Sequence, residues 1–104
     1  MALELDADGH LADLKLWSAQ TAQALATPLG IELGEEHLKV LMAVREFYDQ
    51  YDHVPRTRPL IKYLKSALPE LELSNAKLQR LFNTGLVARE LARVAGLPKP
   101  PHCL

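Results

Sequence analysis

Residues 34–52 read GEEHLKVLMAVREFYDQYD, and this stretch decides the fold class. Apolar side chains recur through it at intervals of three and four residues: Val40, Val44, Phe47 and Tyr51. This spacing is that of an amphipathic α-helix. The two glutamates directly after Gly34 suit the positive end of a helix dipole. The stretch therefore predicts a helix that begins after Gly34 and ends around Asp52.

The residues before this helix predict one more helix and a short β element. Asp13 can cap a helix that ends before Pro28, and Ser18 is an alternative cap that would start the helix later. Residues 3–12 mix alternating apolar side chains with an Asp-Gly turn signal. That pattern predicts a short β-hairpin or an extended arm at the N-terminus.

Three more helices are predicted after the central one, over residues 57–68, 75–82 and 86–95. Thr57 and Ser74 can cap the first two of these helices. Gly96 follows the last, where a helix often needs a residue in the left-handed conformation. The fold class we predict is α+β and mainly helical, with about five helices.

Length and composition predict one domain. The chain has 104 residues, of which 48% are hydrophobic and 24% charged, as is usual for a soluble globular protein. We divide it into a helical body, residues 1–95, and a flexible C-terminal arm, residues 96–104. No apolar run approaches a membrane span, and the acidic N-terminus is unlike a signal peptide, so we expect a cytoplasmic protein.

The charges are unevenly distributed along the chain. Residues 1–54 carry three basic and ten acidic side chains, whereas residues 55–104 carry nine basic and three acidic ones. Such a chain can bring its basic half to an acidic protein or to RNA. Alternatively, the two halves neutralise each other across the fold.

The last eight residues, LPKPPHCL, differ in character from the rest. Three of them are prolines, which favour an extended polyproline conformation. At about 3 Å per residue, the segment could project Cys103 about 20 Å from the end of the last helix. Because Cys103 is the only cysteine, it cannot form an internal disulfide. The sequence thus predicts a stiff arm with a thiol near its tip.

The thiol of Cys103 is the strongest candidate for a reactive group. Alternatively, it has no function, since terminal residues are often disordered and tolerant of change. Lys99 and His102, if protonated, would favour the reactive thiolate, and the carboxylate of Leu104 would oppose it. A hydrolytic Cys–His site is disfavoured because His102 has no identifiable orienting partner.

Two other kinds of site are weaker candidates. The four histidines and Cys103 lack the paired spacing of metal ligands, so we predict no metal, and we expect His37 to cap or pack. A basic stretch, Arg56 to Lys65, could belong to a DNA-binding helix-turn-helix. A solvated helix face is the stronger interpretation of that stretch, because the following turn contains proline and two glutamates.

At this point the residues identify a family. The tail AGLPKP, residues 95–100, followed by Cys103, closely resembles the DsrC/TusE family of sulfur-relay proteins. Further matches cover nearly the whole chain: residues 9–11, Trp17, residues 30–33, His37, Arg45, residues 47–48, Pro55, Arg58, Leu60, Lys62, residues 81–82 and Gly85.

The resemblance implies a small, mainly helical fold with a short N-terminal β-meander and a mobile C-terminal arm. It implies that Cys103 is the catalytic residue, a sulfur carrier that forms a covalent persulfide and needs no other cofactor. The arm that would dock into partners comprises Gly96, Leu97, Pro98, Lys99, Pro100 and His102. The protein would then be a sulfurtransferase component rather than a stand-alone enzyme.

Two departures from the family pattern bear on function and fold. Members that serve dissimilatory sulfite reductase carry a second cysteine where this chain has Ala92. The chain therefore resembles the TusE branch, which takes sulfur from a TusBCD complex for 2-thiolation of the wobble uridine in tRNA by a thiolase of the MnmA type. The second departure is Asn83, where the family usually has proline, which we expect to loosen the turn.

Two alternative functions remain open. The chain could be a DsrC-like binding or regulatory partner of a sulfur-metabolism enzyme, with a thiol that senses redox state. It could also be a helix-turn-helix module that binds DNA.

Overall fold

The computed structural model describes residues 13–98 together with Leu5, His10 and Leu11. These residues contain five α-helices: α1 (Ala19–Ala26), α2 (Glu35–Tyr51), α3 (Thr57–Ala67), α4 (Asn75–Leu81) and α5 (Val87–Val94). Short 3-10 helices occupy Leu14–Leu16, Thr27–Leu29 and Pro69–Leu71. No helix in the described residues is long and apolar enough to cross a membrane.

Side-chain caps fix the first residues of helices α1 and α4. The side chain of Ser18 accepts a hydrogen bond from the N–H of Thr21, so Ser18 rather than Asp13 caps α1. Ser74 caps α4 in the same way, as predicted. Helix α3 begins at Thr57, as predicted, but the predicted cap was wrong because Arg56 and not Thr57 occupies the N-cap position.

Helix α5 lies at the centre of the helical packing, in contact with α1, α2, α3 and α4. Two buried alanines, Ala88 and Ala92, let neighbouring helices approach it closely. The largest completely buried apolar side chains around it are Phe82, Leu41, Leu60, Leu64, Leu78, Leu91 and Leu97. Each of them contributes roughly 1.5–3 kcal/mol by leaving water.

The N-terminal β-hairpin or meander, predicted over residues 3–12, lies largely outside the described residues, which include only Leu5, His10 and Leu11 there. Among the described residues there is no β-strand, only one antiparallel bridge between Leu5 and Leu11. Leu5 remains 46% exposed, so this pairing buries little apolar surface, and an isolated two-stranded hairpin is only marginally stable in water. Leu11, by contrast, is buried.

The turn before α5 is fixed by Asn83. Its φ of 49° lies in the left-handed region, which asparagine tolerates better than most residues. Its side-chain amide donates a hydrogen bond of 2.7 Å to the carbonyl oxygen of Leu29. Asn83 therefore ties this turn to the loop after α1, and the expectation that it loosens the turn was wrong.

Candidate functional site

The described chain ends just after α5, at the start of the segment that carries Cys103. Gly96 has a φ of 73°, the predicted left-handed terminating residue. The N–H of Leu97 donates to the carbonyl of Ala92 at 2.8 Å, and the N–H of Gly96 donates to that of Arg93 at 3.1 Å. This pair of bonds is a Schellman motif, which ends the helix by satisfying its last carbonyls.

Three side chains from distant parts of the chain bind the next carbonyls. The indole N–H of Trp17 donates to the oxygen of Val94 at 2.8 Å. Nη1 of Arg45 donates to the oxygen of Ala95 at 2.7 Å. We call residues 94–97 the tail root.

His10 supplies the third of these bonds. Its Nδ1 lies 2.8 Å from the carbonyl oxygen of Leu97, and the ring is completely buried. A carbonyl oxygen can only accept, so Nδ1 is the donor and carries the proton. With this bond, each carbonyl from Leu91 to Ala95, and that of Leu97, has a donor. A helix end usually leaves such groups to water.

Two of the donors, Trp17 and Arg45, also contact each other. Cζ of Arg45 lies 4.6 Å from the centre of the Trp17 ring, a cation–π contact. Burial lowers the pKa of Arg45 from its ordinary value, and the nearby carboxylate of Asp49 opposes that shift. The guanidinium therefore holds the backbone of Ala95 and the face of the indole together.

The structure places the predicted arm residues in two groups. Gly96 and Leu97 are buried, whereas Pro98 is exposed. Leu97 is buried because its apolar side chain joins the core. Lys99, Pro100, His102 and Cys103 lie outside the described residues, and their roles stay predictions.

His37 has a structural role at the start of α2. Nδ1 of His37 accepts from the N–H of Gly34 at 3.0 Å, and its Nε2 donates to the carbonyl of Leu81 at 2.7 Å. Its ring also packs edge-on against Phe82. The predicted capping or packing role of His37 is thus confirmed. The part of the chain that the structure describes contains no group of three or more residues able to hold a metal.

Sequence reasoning did not predict the donors of the tail root. All three donors were noted as family matches without a role: Trp17, Arg45 and, within residues 9–11, His10. His10 was also among the weak metal candidates. One signal could have found them: each matches the DsrC/TusE pattern, although none is an aliphatic residue of the kind that usually fills a core.

The comparisons with known proteins identify the family. The family model described as "DsrC like protein" matches residues 1–104.

The chain belongs to the DsrC family.

Sulfurtransferase TusE of Sodalis glossinidius is 40% identical over 102 residues, which are 98% of this chain and 94% of that relative. Sulfurtransferase TusE of Salmonella typhimurium is 37% identical, over 98% of this chain and 93% of its own length. The identification made from the sequence is confirmed, and the chain is a sulfur-relay protein of the DsrC family.

Solved structures of DsrC share the fold. The solution structure of Allochromatium vinosum DsrC superposes with a TM-score of 0.84 at 33% identity, covering 98% of this chain and 90% of that one. The oxidized gamma-subunit of dissimilatory sulfite reductase (DsrC) from Archaeoglobus fulgidus gives a TM-score of 0.79 at 35% identity, over 98% and 92% of the two chains. The mainly helical DsrC fold is confirmed.

Proposed function

We propose that Cys103 accepts sulfur as a persulfide from a TusBCD-like donor and passes it to a tRNA-thiolating enzyme of the MnmA type, with or without bound tRNA. The product of that enzyme would be the 2-thiolated wobble uridine of tRNA. The observation that carries the proposal is the single cysteine in a chain whose relatives are sulfurtransferases. A persulfide formed within this sequence can only be on Cys103.

The transfer is a thiolate displacement without net oxidation or reduction. The Cys103 thiolate attacks the outer sulfur of the donor's persulfide, a new S–S bond forms, and the S–S bond within the donor breaks. The donor cysteine leaves as a thiolate, and Cys103 then holds the outer sulfur. An acceptor thiolate attacks that sulfur in the same way, and Cys103 is regenerated.

The described residues support a carrier that must hand its sulfur to another protein. Position 92 is an alanine whose side chain is completely buried in α5, so no second thiol exists there to react with Cys103. An internal disulfide or trisulfide is therefore impossible. Arg58, Lys62 and Lys65 are exposed on α3 and offer a basic surface to an acidic partner or to tRNA.

Mass spectrometry of the intact protein tests the proposal. After incubation with a persulfidated TusBCD complex, the wild-type chain should gain the mass of one sulfur atom, and dithiothreitol should remove it. Cys103→Ser should keep its far-UV circular dichroism spectrum and gain no sulfur. Sulfur loading of the serine variant would show that the carrier is not Cys103.

The second candidate is a regulatory partner of a sulfur-metabolism enzyme, favoured by the likeness to DsrC of dissimilatory sulfite reductase. The two candidate functions predict different chemical states of the Cys103 thiol. Protein purified without reductant should carry the sulfur adduct if it is a carrier. It should carry only an oxidised or unmodified thiol if the tail is a redox-sensing docking element.

A further inference from the structure

We infer that Trp17, Arg45 and His10 are positioning residues for Cys103, because they fix the tail root from which the C-terminal segment starts. The inference rests on the proposed function, in which Cys103 carries the sulfur. In this inference the three residues act on the backbone of the tail root and not on the reacting atoms. They act by holding the backbone of residues 94–97 against the body.

The first argument is that these bonds exceed what a helix end requires. The Schellman motif around Gly96 already terminates α5 and satisfies two of its last carbonyls. The remaining carbonyls, those of Val94, Ala95 and Leu97, belong to buried residues, where an unpaired backbone oxygen is costly. Donors from three separate segments bind them: the N-terminal residues, the residues before α1, and α2. Three donors in different directions fix both the place and the orientation of the tail root.

The second argument is steric. A Cβ atom on Gly96 would lie 2.4 Å from Cδ1 of Trp17, so the indole packs directly on the backbone of the tail root. The guanidinium of Arg45 covers the same ring at 4.6 Å. Leu97 is anchored in the core with 1% of its surface exposed. Sideways movement of the tail root would therefore require these side chains to move too.

The consequence for Cys103 follows from chain length. Six residue steps separate Leu97 from Cys103, so the thiol stays within about 20 Å of the anchored residue at 3.3–3.6 Å per residue. If the tail root detached from the body, Arg93 would be the last fixed residue, and ten residue steps would separate it from Cys103. The volume accessible to the thiol would increase about 2-fold for a random chain and about 5-fold for an extended one. Its local concentration at a docked partner would fall by the same factor.

The kinetics of sulfur transfer can show whether the three residues position Cys103 or only stabilise the fold. Opening the tail root should slow sulfur transfer within a docked complex but leave docking by the helical body unchanged. The saturating rate should therefore fall 2- to 5-fold, while the concentration giving half the maximal rate stays constant. The reaction of Cys103 with a small disulfide reagent needs no docking and should keep its rate.

The chain itself offers a distance probe, because it contains one tryptophan and one cysteine. Energy transfer from Trp17 to an AEDANS dye on Cys103 reports the distance from the tail root to the thiol, with donor-only samples as reference. Arg45→Met removes the donor to Ala95 and should give a longer, broader distance distribution. Arg45→Lys keeps a charge and a donor, and should show a smaller change.

Two further variants complete the test. His10→Phe keeps a buried ring but removes the donor to Leu97, and should change the distribution in the same direction as Arg45→Met. Ser74→Ala removes the cap of α4 and costs about 1 kcal/mol of stability without touching the tail root. It should keep the wild-type distribution and transfer rate.

Wild-type distance distributions in both Arg45→Met and His10→Phe would overturn the inference. A loss of sulfur-transfer rate in Ser74→Ala as large as in those two variants would also overturn it. The rate would then depend on the overall stability of the protein and not on the tail root. A wild-type chain that takes up no sulfur would refute the proposed function instead. The energy-transfer result would still show whether these residues hold the tail root.

Discussion

Gly96 and Trp17 are in such close contact that position 96 has no room for a side chain. A Cβ atom there would lie 2.4 Å from Cδ1 and 2.9 Å from Cγ of the indole. The φ of 73° independently favours glycine. Two separate physical reasons therefore require glycine at the point where the chain leaves α5.

Gly96→Ala should be among the most destabilising single changes in the body. The left-handed conformation costs a residue with a Cβ about 1–2 kcal/mol, and the overlap with the indole adds about 1–3 kcal/mol. We expect urea unfolding, followed by circular dichroism, to show a loss of about 2–5 kcal/mol.

Two other glycines separate these contributions. Gly30 has a φ of 76° but open space around a Cβ, so Gly30→Ala should show the conformational cost alone, about 1 kcal/mol. Gly85 has neither a positive φ nor a close neighbour, and Gly85→Ala should change stability by less than about 0.5 kcal/mol. If Gly96→Ala and Gly30→Ala lost the same free energy of unfolding, the indole of Trp17 would be able to move aside at little energetic cost.

Asn83→Pro, which restores the residue usual in the family, should destabilise this chain. Proline fixes φ near −65°, whereas Asn83 has a φ of 49°, and the change also removes the bond to the carbonyl of Leu29. We expect a loss of about 3 kcal/mol in urea unfolding.

Asn83→Gly is the matched control for that change. Glycine adopts the left-handed conformation freely but lacks the side-chain amide, so the loss should be that of one exposed hydrogen bond, about 1 kcal/mol. A proline variant as stable as the wild type would show that the turn refolds into another conformation.

The contact between Trp17 and Arg45 should appear as a coupling energy. Trp17→Phe removes the donor to Val94 and weakens the cation–π contact, and Arg45→Met removes the charge. In a double-mutant cycle of unfolding free energies, we expect a coupling of about 0.5–1.5 kcal/mol. Strictly additive losses would show that the two side chains hold the tail root independently.

Tyr63 should make the protein lose stability at alkaline pH. Burial raises the pKa of Tyr63 above its ordinary value of 10.0, and the nearby Glu46 and Tyr51 raise it further. Above pH 10 the unfolded state loses this proton before the folded state does. The folded state then binds more protons, so the free energy of unfolding falls as pH rises.

Tyr63→Phe should remove this contribution. Unfolding in urea at about pH 8 and about pH 11 would show a smaller fall in the variant than in the wild type. An identical fall in both proteins would assign the alkaline loss to other groups.

Local patterns predicted the helices well because caps and periodicity act over a few residues. The start of α2 after Gly34 and its end before Asp52 follow from the acidic first turn and from the break in the apolar stripe. The choice between Asp13 and Ser18 as the cap of α1 could not be made locally, since both residues are capable caps. The structure favours Ser18.

The tail root could not be predicted from local patterns. Its donors are separated from their acceptors by 50, 77 and 87 positions for Arg45, Trp17 and His10. No periodicity reports such contacts, because the packing of α5 against the other helices creates them. For the same reason Gly96 and Leu97 look like a linker in sequence, although both are buried and Leu97 packs in the core.

These separations also affect the order of folding. Closing loops of 50 or more residues costs chain entropy, and such contacts become favourable only after the intervening helices have packed. We therefore expect the tail root to form late and to complete the fold rather than initiate it. If Cys103 carries sulfur as proposed, the segment that bears it would have a fixed origin only in the fully folded chain. Ordered delivery of that sulfur would then require complete folding.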